Sequence, residues 1–386
     1  VIFECLKPYF YTRKSEKSFN SEIGLPLTIL GLSNAWNNPF KWFWNLFVGL
    51  LNFITPKYPR WLVLEIGIDR PADMKKVASW LKTDVVVFTK FSRVPVHVEY
   101  FDSPEDVIVE KSLLADTLRK DGVLILNRDD EDVFAIKEKA KRKSVSYGFD
   151  KSSDIQASNQ EFLYDSGGRL LGIIFRADYD GNSIPIRIVG SLGQGQVYSA
   201  LSALAVGMAL GLNPVSLSEA SSAYHPPAGR MRILRGIKNS QIIDDTYNSS
   251  PVALISALET LKKIVAKRKI VVLGDMLELG KYSEDEHKKI GKEVANFADL
   301  FVAVGSSMKF AVEEALSNGM REENILHFDT SKEAGLYLQN LIEDGDLVLV
   351  KGSQSIRMER VVEEVMGEPD RKKELLVRQE EEWEHR

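Results

Sequence analysis

Two α/β units in tandem are what this sequence predicts: first a parallel sheet extended by a β-meander, then a Rossmann-like α/β unit. Three observations carry that prediction. Short apolar runs alternate with helical patterns through residues 61–127, the signature of a parallel sheet with crossover helices. Residues 152–190 instead hold three extended runs separated by the turn sequences DSGG and DYDGN, which reads as a meander. After HPPAGRM (225–231) the strand–helix alternation restarts and continues to about residue 365.

Taken in order, the chain opens on VIFECLKPYF, where Val1, Ile2, Cys5, Leu6 and Tyr9 fall at helical spacing with no capping residue ahead of them. Strands are expected at 61–67, 84–89 and 123–127, with helices at 72–82 and 104–120. The second helix is announced by Ser103-Pro104-Glu105-Asp106, a cap followed by proline at the first helical position and an acid three residues after the cap. A long helix, QVYSALSALAVGMALG, follows the meander. Beyond the linker come strand QIIDD, helix 251–264, strand KIVVLGD, helix 284–296, strand LFVAVG, helix 307–318, a strand near 325, helix 332–342, strand DLVLVKG and helix 356–365. The units are therefore expected at 1–226 and 227–367, with a charged tail, 368–386, as a solvated helix or frayed end.

Composition narrows the function classes. The chain of 386 residues is 44% hydrophobic and 27% charged, with a net charge of −5 and one cysteine. Interspersed charge of that sign excludes a broad nucleic-acid surface, which would be basic. One cysteine excludes an internal disulfide and a cysteine-based metal site, and a reducing, cytoplasmic compartment fits.

In open α/β sheets ligands bind at the carboxyl ends of the strands. Polar residues cluster there: Glu65 and Asp69, Asn127 and Asp129, Asp244 and Asp245, Gly274 and Asp275, and Lys351-Gly352-Ser353. A single polar strand end is ordinarily a turn; a series of them asks for a ligand.

The order of motifs resembles the Mur ligases, ATP-dependent amino-acid ligases of peptidoglycan synthesis. FNSEIGLPLTIL, LEIGIDRPADM, HVEYFDSPEDVIVEKSLL, LNRDD, GRM, IIDDTYNSSP, VLGDMLELG followed by His287, and LVKGSQSIRMERVV occur in the family's order from about Phe19 to Val365. DDTYNSSP with LGDMLELG is the most specific part, and is similar to the branch that adds D-alanyl-D-alanine to a UDP-muramoyl tripeptide. The resemblance implies a central ATPase-type ligase domain and a Rossmann-like C-terminal ligase domain, with ATP and Mg²⁺ required and no nucleic acid as partner. It implies catalytic and metal-binding roles for Glu65, His97 and Lys111, the lysine as a carbamate. It implies nucleotide contacts from Asn127, Gln196, Arg230 and Asp245, and substrate contacts from Tyr247, Asn248, Ser249 and Lys351. It also implies that a strand and a Gly-rich phosphate loop stand before Val1, and that the chain without them would be inactive.

Two departures from the family pattern stand out. GQGQVYS has Gly195 and Gln196 where the family has His and Asn; glutamine keeps an amide able to pair with adenine. Residues 37–59, NNPFKWFWNLFVGLLNFITPKYP, look like an insertion. Its fifteen uncharged residues between Lys41 and Lys57 are too few to span a bilayer. It is either a Trp-rich helix at a membrane interface, on the inner face of the membrane, or a helical hairpin packed on the protein or on a second copy. Two other functional readings stay open at this point: another Mur or folylpolyglutamate-type ligase, and a non-catalytic membrane-associated scaffold with a decayed nucleotide site.

Overall fold

The computed structural model describes residues 1–15, 20, 22–35, 38–51, 57–91, 98–222, 224–380 and 383. Fourteen strands lie in the described residues: β1 (Thr12–Lys14), β2 (Trp61–Val63), β3 (Thr83–Phe88), β4 (Leu118–Asn127), β5 (Lys143–Gly148), β6 (Ile155–Tyr164), β7 (Leu170–Tyr179), β8 (Asn182–Val189), β9 (Arg232–Arg235), β10 (Gln241–Asp245), β11 (Arg268–Gly274), β12 (Leu300–Val304), β13 (Ile325–Phe328) and β14 (Asp346–Lys351).

They form a small β1–β2 ladder and two six-stranded sheets. The first runs β3-β4-β5-β6-β7-β8, parallel as far as β6 and antiparallel beyond it. The expected meander is thus the far half of the first sheet, joined to it through the β5–β6 pair. The second runs β13-β12-β11-β14-β10-β9, parallel except for the edge strand β9. Its inner strands are apolar at their centres, and β12 and β14 are buried at every position, as a sheet covered by helices on both faces requires.

Several expectations are corrected. The run 61–67 is a three-residue strand, and it pairs in parallel with Thr12–Lys14 instead of joining β3. Its alternate residues Leu64, Ile66 and Ile68 turn into a core shared with Met74, Val77 and Val107, so side-chain packing takes over where the ladder stops. The helix from Pro104 ends at Ser112 and tightens into a 3₁₀ segment, Leu113–Thr117, before β4. Strand β5 and the helices Glu131–Ala140 and Pro214–Ser222 were not anticipated. The first of these helices is capped by Asp130, whose side chain accepts from Val133 N–H.

The charged tail is the largest correction. Pro369–Arg371 forms a 3₁₀ turn and Lys372–Leu375 a short helix. Leu375 and Leu376 are buried with Leu234, Ile242 and Met366 in the core of the second sheet. Leu375, Leu376 and Val377 form an apolar run inside a charged stretch, and burying that run costs less than leaving it wet. The segment is a strap and not a solvated end.

The helix Pro39–Leu51 is the reverse of an ordinary surface helix. Asn45 and Gly49 face the protein, while Phe40, Phe43, Trp44, Leu46, Phe47, Leu50 and Leu51 are exposed. No described helix is long and apolar enough to cross a membrane.

Candidate active site

The carboxyl ends of β10 and β14 meet the linker that precedes β9, and a dense polar network lies there. Asp245 and Lys351 are directly paired across the parallel ladder, and their side chains form a buried ion pair of 2.7 Å. The other carboxylate oxygen of Asp245 accepts from Met231 N–H at 3.1 Å. Asp244, fully buried, accepts from Gly229 N–H at 3.0 Å and from both the N–H and hydroxyl of Thr246. Gly229 takes φ 67°, and a Cβ there would fall 2.8 Å from Tyr247 N, so only glycine lets GRM pass this close to the loop. Arg230 is exposed at its head and lies over the Tyr247 ring, 3.9 Å from its centroid. It is thereby aimed rather than free, with a planar donor fork suited to a phosphate.

The loop after β10 is held from behind. The carbonyls of Thr246, Tyr247 and Asn248 accept in succession from Arg378, Arg378 and Lys351, at 2.5, 3.0 and 2.8 Å. Asn248 Oδ1 accepts from the N–H groups of Ser249 and Gln354. Ser249 Oγ is buried without a hydrogen-bond partner. Lys351, expected as a substrate contact, is buried and spends its ammonium on Asp245 and the Asn248 carbonyl. It positions the loop from behind.

Arg378, absent from the sequence reading, enters from the strap. It shares the buried Glu359 carboxylate with Arg357, at 2.5 Å on each side, and Arg357 also donates to the Trp383 carbonyl. The signal that could have found it is Leu375-Leu376-Val377 immediately before it.

At the end of β4, Asn127 is fully buried. Its Oδ1 accepts from Asp129 N–H, and its Nδ2 has no partner. Asp129 accepts from the N–H groups of Phe149 and Asp150 and from the Tyr198 hydroxyl; burial beside this carboxylate raises the Tyr198 phenol above its ordinary value. Gln196 donates its amide to the Arg230 carbonyl at 3.1 Å, tying the first sheet's helix to the linker. A Cβ at Gly195 would meet nothing within 4 Å.

Lys111 lies one turn beyond the buried Val107 in the last turn of its helix. Burial pushes its ammonium below the ordinary lysine value, and it sits 5.8 Å from the centroid of the Phe91 ring. Among the described residues it has no carboxylate partner: Glu110 is engaged by the N–H groups of Met74 and Lys75, and Asp106 by Ser103. Glu65 is exposed beyond β2. His97 lies outside the described residues. Among those described, no cluster of three His, Cys, Asp or Glu forms a ready-made metal site. His287, by contrast, is a structural histidine. Its Nε2 accepts from Met276 N–H, so Nδ1 carries the proton and donates to the Ser283 carbonyl at 2.7 Å; burial lowers its pKa.

The chemistry of these donors fits the expected groups. Glu65 offers a solvent-facing oxygen, and Lys111 an amine biased toward its neutral form, the form that takes up carbon dioxide to become a carbamate oxygen ligand for Mg²⁺. Asn127 Nδ2 and the Ser249 hydroxyl are buried and unspent, the kind of unpaired polar group that asks for a ligand. Asp245 has two of its roughly four acceptor positions occupied, which leaves room for a ribose hydroxyl.

Asp244 gives the site a pH signature. Burial raises its carboxyl to about 6, above the unfolded value of about 3.9. The folded state therefore binds the proton more tightly, and this residue's contribution to stability falls as pH rises from about 4 through 6, by about 3 kcal/mol in all. Asp244→Asn should lose less thermal stability than the parent between pH 4 and pH 7. Parallel Tm curves for the two proteins would contradict this assignment.

Comparison with known proteins places the fold. Residues 47–207 match the Mur ligase middle domain and residues 229–354 the Mur ligase glutamate ligase domain. The Bacillus subtilis UDP-N-acetylmuramoyl-tripeptide--D-alanyl-D-alanine ligase is 25% identical over 371 residues, covering 96% of this chain and 73% of that protein. Two crystal structures share the fold: a MurF from Acinetobacter baumannii, with a TM-score of 0.76 at 23% identity, and the MurF ligase from Thermotoga maritima in complex with ADP, with a TM-score of 0.74 at 23% identity. Each covers 94% of this chain, and the chain covers 72% and 75% of theirs. With the two domain matches in order along the two sheets, together spanning most of its length, this chain belongs to the Mur ligase family.

Proposed function

We propose that the chain carries the ATP-dependent ligation of D-alanyl-D-alanine to a UDP-N-acetylmuramoyl tripeptide in the cytoplasm. Residues 1–226 would form the nucleotide-binding unit and residues 227–367 the ligase unit. The observation that carries this reading is the loop Thr246–Ser250, held by three consecutive carbonyls at the junction of the two sheets. The loop lies within DDTYNSSP (244–251), the segment whose resemblance points to the dipeptide-adding branch. The folylpolyglutamate-type and scaffold readings are not favoured, since relatives at 24–26% identity carry the D-alanyl-D-alanine name.

Bound Mg²⁺ and ATP would supply charge neutralisation and a phosphoryl group that turns the acceptor carboxylate into an acyl phosphate, with ADP leaving. The chain's own part is positioning and electrostatics, which dominate such reactions. Glu65 and Lys111, with His97, would hold the metal. Arg230, aimed by the Tyr247 ring, would meet a phosphate. Asn127 would offer its unspent amide to the nucleotide. Tyr247, Asn248 and Ser249, on a loop that cannot retreat, would orient the dipeptide amine toward the acyl carbon, from which phosphate departs. ADP and phosphate release by the full-length chain should require UDP-muramoyl tripeptide and D-alanyl-D-alanine together. Equal turnover with glutamate and a folate would refute the assignment.

A further inference from the structure

We infer that the helix Pro39–Leu51 is a docking surface for an anionic lipid bilayer, on which it lies flat. The inference does not depend on the ligase reading. Three observations meet here.

The first is which side of the helix faces the protein. Asn45 is buried and donates Nδ2 to the Ser33 carbonyl at 2.8 Å. Gly49 is buried against the helix Gly24–Leu30, where an added Cβ would lie 3.5 Å from Leu30 Cδ1. Polar and small residues make the seat, and the large apolar residues are left out of it.

The second is the outward stripe. Phe40 is 86% exposed, Phe43 75%, Leu46 68%, Leu50 66% and Trp44 61%, with Phe47 and Leu51 also exposed. At about 100° per residue these seven cover an arc of roughly 160°, wider than scattered surface residues produce and typical of an interaction site. The Trp44 and Phe47 rings pack along it at a tilt of 37°, 5.7 Å between centroids. Trp and Phe beside lysine are the residues of an interfacial helix.

The third is charge, which selects the occupant. Between Glu22 and Glu65 the sequence has no acidic residue, while Lys41, Lys57 and Arg60 are basic. A segment of charge +3 in a chain of charge −5 is complementary to anionic lipid and repels a second copy of itself. Lys41, whose N–H is held by the Asn38 side chain at the start of the helix, stands at the border of the apolar arc, where a headgroup would be. Thirteen residues span about 20 Å, short of the roughly 30 Å hydrocarbon core, so the helix rests in the interface and does not cross.

The test uses the full-length chain with vesicles of phosphatidylcholine alone or with about 30 mol% phosphatidylglycerol. Sedimentation should show partitioning onto the anionic vesicles about tenfold stronger or more than onto the neutral ones, weakened at about 0.5 M salt. Acyl-brominated lipid should quench tryptophan emission, and Trp44→Leu should remove most of that quenching. Phe43→Asp with Leu50→Asp should abolish binding while solution activity and Tm stay unchanged, since both side chains are exposed. Lys41→Glu should weaken binding at least about fivefold. Absence of binding to either vesicle would overturn the proposal. So would a concentration-dependent dimer, or a fall in Tm, caused or removed by the Phe43/Leu50 pair without any change in vesicle binding; those results assign the stripe to protein cover.

Discussion

Lys111→Ala should lower the ligation rate by about 10²–10³-fold, the usual loss when one preorganised charge at a reacting phosphoryl group is removed, with nucleotide affinity changed far less. The reasoning begins with burial. Lys111 sits in the last turn of its helix behind Val107, its charge is disfavoured by desolvation, and among the described residues no carboxylate compensates it. Lys111 is half-buried, so its ammonium loses part of its water without such a partner to offset the loss. An amine whose charged form is disfavoured is the more ready to bind carbon dioxide and present an anion. Formate or acetate should therefore restore part of the activity of the alanine variant, and the parent protein should take up ¹³C-bicarbonate as a carbamate signal that the variant lacks. Full activity without rescue would return Lys111 to the packing of its helix against Phe91.

Glu359→Gln should cost about 3–5 kcal/mol of stability, the penalty for stranding a buried charge. Glu359 is fully buried and accepts from Arg357 on one oxygen and Arg378 on the other. Without its negative charge, two buried guanidinium groups face one another across a neutral amide. Because Arg378 also holds the Thr246 and Tyr247 carbonyls, the effect should reach the site: KM for the dipeptide should rise about tenfold or more, with KM for ATP nearly unchanged. Arg378→Lys should raise the same KM, since a single ammonium cannot serve a carboxylate and two carbonyls in the fork geometry. Denaturant midpoint at constant m-value reports the first effect, and paired KM values the second. An unchanged midpoint would mean the triad is wet and worth as little as a surface pair.

Both predictions show where reading from residues alone stops. The strand–helix alternation of the second sheet, the turn sequences of the meander and the linker were legible because each is set by local periodicity and turn chemistry. The short β5, KSVSYG, has too few residues for its alternation to stand out, and its place between β4 and β6 is decided by pairing partners. In the same way β2 looked like a member of the main sheet until its partner β1 was known. The motif residues near the linker were also legible, since GRM, DDTYNSSP and LVKGS lie at strand ends that an open sheet brings together.

By itself, then, the sequence determined the α/β class, the order of the elements, the ligase motifs and the acid-free, aromatic-rich character of residues 23–64. Tertiary structure decided which groups were already committed. Lys351 turned from a ligand contact into a support for Asn248, His287 into a pinned structural residue, and the charged tail into a strap that fixes the loop after β10. It also decided that the helix Pro39–Leu51 faces the protein with Asn45 and Gly49 and shows its aromatic side to the surroundings. The physical reason is the same in each case. Periodicity and composition say what a segment can bury or bind, but a hydrogen bond or ion pair is spent only once, and long-range packing settles where.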